Sequence, residues 1–310
     1  MSKKLPVILD VDTGIDDAVA VMMAVKCKNL DIKLITTCHG NTTIENITKN
    51  TLSMLALLGE YNIPVAQGMG HALKKVREHV SVHGSNGMGG YEYKNNPLKA
   101  LDKSALEATH EVLQKADEPI TMVCISPPTN VANLLIHYPE DAKKIKEIVL
   151  MVGSNEIVPE GAIPYKEFNA SVDPEALEIV VNSSVPKVII SMEMGHTAYF
   201  TWKDVYKTEH KNDFGKLLEV IFRQYHDYHV KNGIATHDGC AIAYLAKPKI
   251  FKMADANMTV EYFEQLGSGV GVIDYEKTPN CKITKEVNVK KFKKLYFKCL
   301  KKCKTTQEIE

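Results

Sequence analysis

The 310-residue sequence lacks the features that would mark it as a membrane protein or a nucleic-acid-binding protein. No apolar run approaches the roughly 20 residues that a membrane-spanning helix needs. Neither sign of charge is in excess, since Lys and Arg together number 38 and Asp and Glu together also number 38. The chain therefore has no global field that would attract nucleic acid or an anionic membrane, and we expect neither as a partner.

The cysteines show no spacing typical of a disulfide framework or of a zinc site. There are seven of them, an odd number, and the sole close pair, Cys299 and Cys303, has the i,i+4 spacing of a helix face. Reduced thiols are the simplest interpretation. The apolar segment from Leu5 to Leu9 is too short for the core of a secretory signal, and acidic residues follow it at once. We therefore expect a cytoplasmic protein.

Short apolar segments alternate with longer amphipathic segments along the chain, and no Pro/Gly/Ser linker or internal repeat interrupts them. This alternation is typical of an α/β fold. We predict one domain over residues 1–310, with an open, mostly parallel, Rossmann-like sheet and helices on both faces. The predicted strands are Val7–Leu9, Ile32–Thr37, Ile120–Ile125, Ile148–Val152 and Val188–Met192. The predicted helices are 15–27, Thr43–Leu58, Ala105–Gln114, Asp141–Ile145, Pro174–Val181, Phe214–Asn232 and His237–Ala246.

The end of the chain is rich in lysine but carries one apolar stripe. Between Lys290 and Lys304, the apolar residues recur at helical spacing. We predict a helix over residues 291–304 that docks by this stripe and keeps its lysines in water, followed by a tail over residues 305–310. A nucleic-acid-binding patch is the alternative interpretation.

Four carboxylates fall within eight residues directly after the first predicted strand: Asp10, Asp12, Asp16 and Asp17. In a parallel sheet, this end of a strand is where ligands bind. Such crowding raises the pKa of each carboxyl and destabilises the fold unless a cation is present. Capping of the following helix is the alternative, but a cap needs one or two acidic residues and not four. The pattern favours a hard divalent cation, Ca²⁺ or Mg²⁺.

Known motifs of other enzyme classes do not fit the same segment. Gly14 occupies a position where neither an EF-hand nor the D-x-D-x-[TV] phosphatase motif has glycine. The chain also has no P-loop, no G-x-S-x-G nucleophile elbow and no H-E-x-x-H zinc motif. A phosphatase of the haloacid-dehalogenase type stays open as an alternative, because it too has acidic residues after its first strand.

The acidic segment resembles the opening signature D-x-D-x-G-x-D-D of the inosine-uridine-preferring nucleoside hydrolase family. Further stretches agree with that family in order and spacing, from residue 10 to about residue 245. These stretches are His39-Gly40-Asn41, His83-Gly84 with Gly87-Met88-Gly89, Ser126-Pro127-Pro128-Thr129-Asn130, Glu167-Phe168-Asn169, Asp173-Pro174-Glu175-Ala176 and His237-Asp238. The resemblance implies hydrolysis of the N-glycosidic bond of ribonucleosides to ribose and free base.

The resemblance also implies a calcium site. By it, Asp12 and Asp17 look like bidentate ligands of Ca²⁺, and Asp238 looks like a third carboxylate ligand. The backbone carbonyl of Ile125 would supply a further oxygen, and Asp10 looks like a supporting residue close to the metal. Asp12 would in addition act as the general base that activates a calcium-bound water.

Other residues would bind the nucleoside. Those that look like ligands of the ribose hydroxyls are Asp16, Asn41, Glu167 and Asn169. His237, next to Asp238, is the leading candidate to protonate the departing base, because imidazole can carry a proton near neutral pH. The residues expected to face the base are His83, Tyr225 and Tyr228. Taken without the family, a lone histidine is more often structural, and the tyrosines are ordinary residues of an amphipathic helix.

The chain departs from the family pattern before Glu167. Where the family often has an Asn, six residues before this Glu, the chain has Gly161, and Asn155 is a candidate substitute. The preference for purine or pyrimidine therefore stays open. Two alternative functions also stay open: hydrolysis of another N-riboside, and nucleoside binding without catalysis. The resemblance further implies a homodimer or homotetramer with a role in purine or pyrimidine salvage.

Overall fold

Strands and helices alternate along most of the chain in the computed structural model, which describes residues 3–74, 81–93, 96–225 and 230–304. The strands are β1 (Leu5–Val11), β2 (Leu30–Thr37), β3 (Val65–Gln67), β4 (Ile120–Cys124), β5 (Ile145–Met151), β6 (Lys187–Ile190), β7 (Phe200–Thr201), β8 (Gly233–Ile234), β9 (Phe251–Phe263), β10 (Ser268–Asp274) and β11 (Cys281–Val287). The helices are α1 (Ile15–Lys26), α2 (Ile44–Leu57), α3 (Ala105–Gln114), α4 (Thr129–His137), α5 (Phe168–Val172), α6 (Pro174–Asn182), α7 (Met192–Thr197), α8 (Trp202–Glu209), α9 (Asp213–Phe222), α10 (His237–Ala246) and α11 (Val289–Leu300).

Nine of the strands form one open sheet, in the order β10-β9-β11-β6-β5-β4-β1-β2-β3. All neighbouring pairs from β11 to β3 are parallel, whereas β9 is antiparallel to both β10 and β11. The two short strands β7 and β8 pair separately. The prediction of an open, mostly parallel sheet in a single domain is confirmed.

Strand β1 shows how the sheet separates two cores. Along it, Val7, Leu9 and Val11 belong to one buried cluster, while Ile8 belongs to another on the opposite face. Successive side chains of a strand point to opposite faces, so a strand buried on both sides is apolar throughout. Helices α1, α2, α10 and α11 contribute to the first core, and α3, α4 and α6 to the second.

Two regions of the sequence differ from the prediction, one in the middle of the chain and one in its last third. Strands β9, β10 and β11 were not predicted, and the long helix expected over Phe214–Asn232 ends at Phe222. The helix expected over Asp141–Ile145 is a 3-10 turn at Pro139–Lys144, after which Ile145 begins β5. β9, the longest of these three strands, escaped prediction because it is only partly buried and lacks a continuous apolar run.

The terminal helix α11 packs on the first core through Phe292, Leu295, Tyr296 and Cys299, all of them buried. Asn288 caps its start, because the side-chain oxygen of Asn288 accepts a hydrogen bond from the backbone N–H of Lys291 at 3.0 Å. In the part of the chain that the structure describes, no helix combines the length and the apolar character needed to cross a bilayer.

Candidate active site

The carboxyl ends of the central parallel strands meet at one edge of the sheet and border a cavity of about 220 Å³. Its polar lining consists of Asp12, Asp16, Asn41, Glu167, Asn169 and Asp238. Its aromatic and imidazole lining consists of His83, Tyr165, Phe168, His196, Tyr225 and His237. The remaining lining residues are Val82, Ile125, Met151 and Met192. The cavity thus joins the segments that the sequence predicted to share one site.

The turn between β1 and α1 is folded around the carboxylate of Asp17. Its Oδ1 accepts a hydrogen bond from the backbone N–H of Asp12 at 3.2 Å, and its Oδ2 accepts one from the N–H of Gly14 at 3.0 Å. Gly14 is required here for space, because a Cβ would lie 2.8 Å from both Asn41 Nδ2 and His83 Nδ1. Asp17 therefore organises the turn as well as facing the other carboxylates.

The loop after β2 fixes the orientation of Asp12. The backbone N–H of Asn41 donates to Asp12 Oδ2 at 3.0 Å, and the Asn41 amide donates to the Asp12 carbonyl at 3.1 Å and to Asp17 Oδ2 at 3.2 Å. A Cβ on Gly40 would lie 2.0 Å from Asp12 Oδ2, so only glycine permits this close approach. Asn41, predicted as a ribose ligand, lines the cavity and also holds both carboxylates in place.

Three buried carboxylates form a cluster that could bind a metal ion. One oxygen each from Asp16, Asp17 and Asp238 lie within 4.8 Å of one another. The cluster contains Asp17 and Asp238, two of the three predicted carboxylate ligands, together with Asp16, which was predicted as a ribose ligand. The third predicted ligand, Asp12, borders the cluster and lines the cavity. Among the described residues, no lysine or arginine forms an ion pair with any of them.

Burial and mutual repulsion raise the pKa values of Asp12, Asp17 and Asp238. Burial is the largest cause at Asp17, followed by the charge of Asp16, and together they raise the pKa of Asp17 to about 7. Burial, with the neighbouring aspartates second, also raises the pKa values of Asp12 and Asp238 well above the usual range. Uncompensated buried carboxylates are costly, so the residues present fit a divalent cation with oxygen ligands.

Ile125 follows β4 directly and lines the same cavity. Its carbonyl oxygen accepts a hydrogen bond from Asn169 Nδ2 at 3.1 Å, and the same amide nitrogen donates to the carbonyl of Met151 at 3.0 Å. Asn169 thereby ties the ends of β4 and β5 together. A carbonyl oxygen has two lone pairs, so this hydrogen bond leaves the Ile125 oxygen able to bind a cation as well.

Asp10 lies beneath the turn and supports the site from below. Its carboxylate accepts hydrogen bonds from Ser126 Oγ and from Asn130 Nδ2, both at 2.7 Å, and a further one from Thr36 Oγ1. These donors come from β2 and from the loop and helix after β4, so Asp10 joins three neighbouring segments. It does not line the cavity.

Glu167 caps the start of helix α5, and its side chain lines the cavity. Its Oε2 accepts from the N–H groups of Gly153 and Ala170, both at 2.9 Å, and its Oε1 accepts from the N–H of Asn169 at 2.8 Å. Burial raises the pKa of Glu167, and the backbone donors oppose that shift. The carboxylate is therefore held rigidly beside Asn169, as a pair of hydroxyl-binding residues would require.

His83 and Tyr225 form one wall of the cavity, with ring centroids 5.0 Å apart. His83 Nδ1 accepts a hydrogen bond from the backbone N–H of Ile15 at 3.1 Å, so its ring proton resides on Nε2. That Nε2 lies 4.0 Å from Asp16 Oδ1. Tyr228, also predicted to face the base, lies outside the described residues.

His237 lies next to Asp238 at the start of α10, and its Nδ1 is 3.1 Å from the carbonyl oxygen of Met192. A carbonyl only accepts, so Nδ1 carries a proton and Nε2 is the nitrogen that can exchange one. The ring of His196 meets that of His237 edge-on at 4.9 Å between centroids.

Several lining residues were not predicted. Phe168 could have been found, because it stands between Glu167 and Asn169 in the motif, whereas His196 and Tyr165 carry no local sequence signal. Asn155, the candidate substitute for the family's Asn, does not line the cavity. Its amide donates instead to the carbonyl of Thr284 at 2.8 Å.

Comparisons with known proteins show which family this chain is similar to. The family model described as inosine-uridine preferring nucleoside hydrolase matches residues 7–294. Non-specific ribonucleoside hydrolase RihC of Salmonella newport is 38% identical over 278 residues, 89% of this chain and 90% of that protein. The structure of a purine-preferring ribonucleoside hydrolase from Gardnerella vaginalis is similar with a TM-score of 0.86 and 27% identity, over 96% of this chain and 98% of that one. A plant nucleoside hydrolase gives a TM-score of 0.87 and 26% identity, over 96% and 99%.

These relatives are ribonucleoside hydrolases, enzymes that cleave the bond between a ribose and its base. The family match covers nearly the whole chain, and it includes every segment that borders the cavity. The chain therefore belongs to the inosine-uridine preferring nucleoside hydrolase family.

Proposed function

We propose that the enzyme hydrolyses ribonucleosides with a calcium ion held by Asp12, Asp17, Asp238 and the carbonyl of Ile125. The observation that carries the proposal is the buried carboxylate cluster at the floor of the cavity, where Asp16, Asp17 and Asp238 lie within 4.8 Å of one another. A bound Ca²⁺ supplies a water molecule of lowered pKa and coordination positions for ribose hydroxyls.

Asp12 is the proposed general base. It lines the cavity, and the Asn41 N–H holds one of its oxygens at 3.0 Å, which fixes the direction of the carboxylate. Burial raises the pKa of Asp12, so the carboxylate has an increased affinity for a proton taken from an attacking water. A general base is most effective when its pKa lies close to the working pH.

The carboxylates around the sugar would stabilise the transition state. Cleavage of an N-glycoside gives the ribose oxocarbenium character, and negative charge beside a developing cation acts mainly in the transition state. Asp16, Asn41, Glu167 and Asn169 line the cavity and are proposed to bind the ribose hydroxyls. Loss of such a contact should lower the rate as well as the affinity.

His237 is the proposed proton donor to the departing base. Its Nδ1–H is fixed by the Met192 carbonyl, so protonation of Nε2 gives an acid whose ring orientation is already set. His83 and Tyr225 are proposed to contact the base, since they lie against each other on the same cavity wall. Tyr228 stays a proposed base contact from its sequence position alone.

The base specificity of the relatives supports a broad substrate range. The Salmonella relative at 38% identity is named non-specific, whereas the Gardnerella structure at 27% identity is named purine-preferring. We propose that both purine and pyrimidine ribonucleosides are substrates, as a salvage enzyme of nucleoside metabolism would need.

The test is release of reducing sugar from a panel of purine and pyrimidine ribonucleosides. We expect turnover of both classes, and a loss of kcat of about 10³-fold or more in Asp12→Asn, because the variant lacks its base and a metal ligand. Asp102→Asn is the matched control at an exposed aspartate. Wild-type rates in Asp12→Asn, or turnover of p-nitrophenyl phosphate in place of nucleosides, would refute the proposal.

A cytoplasmic location and a homodimeric or homotetrameric assembly complete the proposal. All seven cysteines are free and buried, as suits a reducing compartment. Light scattering of the purified protein measures the assembly directly, and a monomer would refute that part.

A further inference from the structure

Two cysteines that are far apart in sequence meet where the first and last helices of the chain pack together. Cys27 follows α1 directly, and Cys299 lies in the final turn of α11. Their Sγ atoms are 3.5 Å apart, although 272 residues separate them in the chain. This distance is close to van der Waals contact, so a small movement would bring the two sulfurs into bonding range.

We propose that Cys27 and Cys299 form a reversible disulfide bond when the protein meets a hydroperoxide. Cys27 follows α1 at the end opposite to Asp16 and Asp17, so this modification site is distinct from the active site. Its product would be a covalent link between the C-terminal helix and the helix that carries the acidic turn.

The surroundings of Cys299 favour the reactive thiolate form. The hydrogen bond from the Cys27 thiol lowers the pKa of Cys299 most, and Lys302, Lys298 and Lys247 lower it further, while burial opposes them. The pKa of Cys27 is raised, chiefly by the same hydrogen bond. Cys299 is therefore the attacking sulfur, and Cys27 is the thiol that resolves the intermediate.

The two steps balance without any other reactant. The Cys299 thiolate attacks one oxygen of the hydroperoxide, and with one proton this yields a sulfenic acid and releases water or an alcohol. The sulfur of Cys27 then attacks the Cys299 sulfur, the S–S bond forms, and hydroxide leaves with the Cys27 proton as water. Two thiols are oxidised, and one hydroperoxide is reduced.

The position of the pair near the end of α11 gives the oxidant a way in. Cys299 is 1% exposed and Cys27 is 5% exposed, so the reaction needs a local opening. α11 ends one residue after Cys299, at Leu300, and the last turn of a helix opens at a lower free-energy cost than its middle. Lys302 Nζ donates to the carbonyl of Lys26 at 2.6 Å, and this contact links the two helix ends in the closed state.

Cys303 is the nearest competing thiol. It is buried, and its Sγ faces the backbone carbonyl of Cys299 at 3.6 Å. Burial raises its pKa to about 12, so it is protonated at neutral pH. The geometry therefore favours Cys27 as the partner of Cys299, and the choice between the two is a direct test.

The experiment treats the full-length folded protein with hydrogen peroxide, blocks free thiols, and maps peptides without reduction. Chymotrypsin suits this purpose, because Leu300 lies between Cys299 and Cys303 and places them in different peptides. We expect a Cys27–Cys299 cross-link that dithiothreitol reverses, with a Tm higher by about 5 °C, because the link closes a long loop. Cys27→Ser should lose both the cross-link and the Tm gain, whereas Cys303→Ser should keep both.

Three outcomes would overturn the proposal. One is a Cys299–Cys303 link in place of the expected one. Another is recovery of Cys299 as a sulfinic or sulfonic acid while Cys27 stays a free thiol. The third is no reaction of either thiol in the folded protein under conditions that oxidise the urea-unfolded chain.

Discussion

The ring of His237 lies directly against the backbone of Gly195: a Cβ at Gly195 would be 2.2 Å from His237 Nδ1. The two residues belong to different helices, α10 and α7, and the same contact brings Nδ1 to the carbonyl of Met192. The absence of a side chain at position 195 thus permits the orientation of the proposed proton donor.

Gly195→Ala should therefore damage catalysis without touching the substrate. The new methyl group must push the His237 ring away, and a displacement of about 1 Å costs roughly 10²-fold in rate when a proton donor is misplaced. We expect kcat to fall by about that factor with little change in KM. Gly70→Ala is the matched control, because its Cβ would meet only the side chain of Ile44, at an ordinary distance of 3.4 Å or more. Equal kinetics in the two variants would contradict the role of this contact.

A buried hydrogen-bond chain supports the loop that holds Asp12. Thr129 Oγ1 donates to Asp173 Oδ2 at 2.7 Å, and His39 Nε2 lies 2.9 Å from the same hydroxyl oxygen. Because the hydroxyl proton is used in the bond to Asp173, the Nε2–H of His39 is the donor in the second bond. Thr129→Val removes both bonds and should cost about 1–3 kcal/mol. Thr129→Ser should restore most of the stability and of kcat. Thermal unfolding and initial rates of both variants measure these changes in stability and kcat. A fully stable and fully active Thr129→Val would show that these hydrogen bonds are dispensable.

The metal-free protein should become less stable as the pH rises. The pKa of Asp17 is raised to about 7 in the folded protein, above the value of about 3.9 for an unfolded aspartate. Its contribution to stability is thus present below about pH 4 and is lost as the pH rises through 7. A cation binds the ionised carboxylate and must displace the proton that Asp17 carries at low pH. The gain in Tm on adding Ca²⁺ should therefore be larger at pH 8 than at pH 6. A gain independent of pH would contradict this linkage.

The polar floor of the site could be predicted from sequence because its information is local. Asp10 to Asp17 form one short segment, and their charge density alone indicates a cation. Strands β1, β2, β4, β5 and β6 were also predictable, since each contains a short buried run that is mostly apolar. A site residue or strand can thus be predicted when neighbouring residues in the sequence determine its chemistry or its burial.

The wall of the cavity could not be predicted in the same way. His196 reaches His237 only because α7 packs beside α10, and nothing around residue 196 records that packing. The helical spacing around Phe214 continues to Tyr225, yet α9 ends at Phe222 and the Tyr225 ring packs against His83. Such contacts depend on the tertiary arrangement of distant segments.

The most direct test of the account is calcium dependence, measured on one preparation by metal analysis and by nucleoside hydrolysis. The enzyme is stripped by prolonged dialysis against EGTA and then titrated with Ca²⁺, with Asp238→Asn treated in parallel. The account predicts that activity disappears with the metal and returns as about one calcium ion binds per chain, and that Asp238→Asn recovers neither binding nor activity. Full hydrolysis by the calcium-free protein would contradict it.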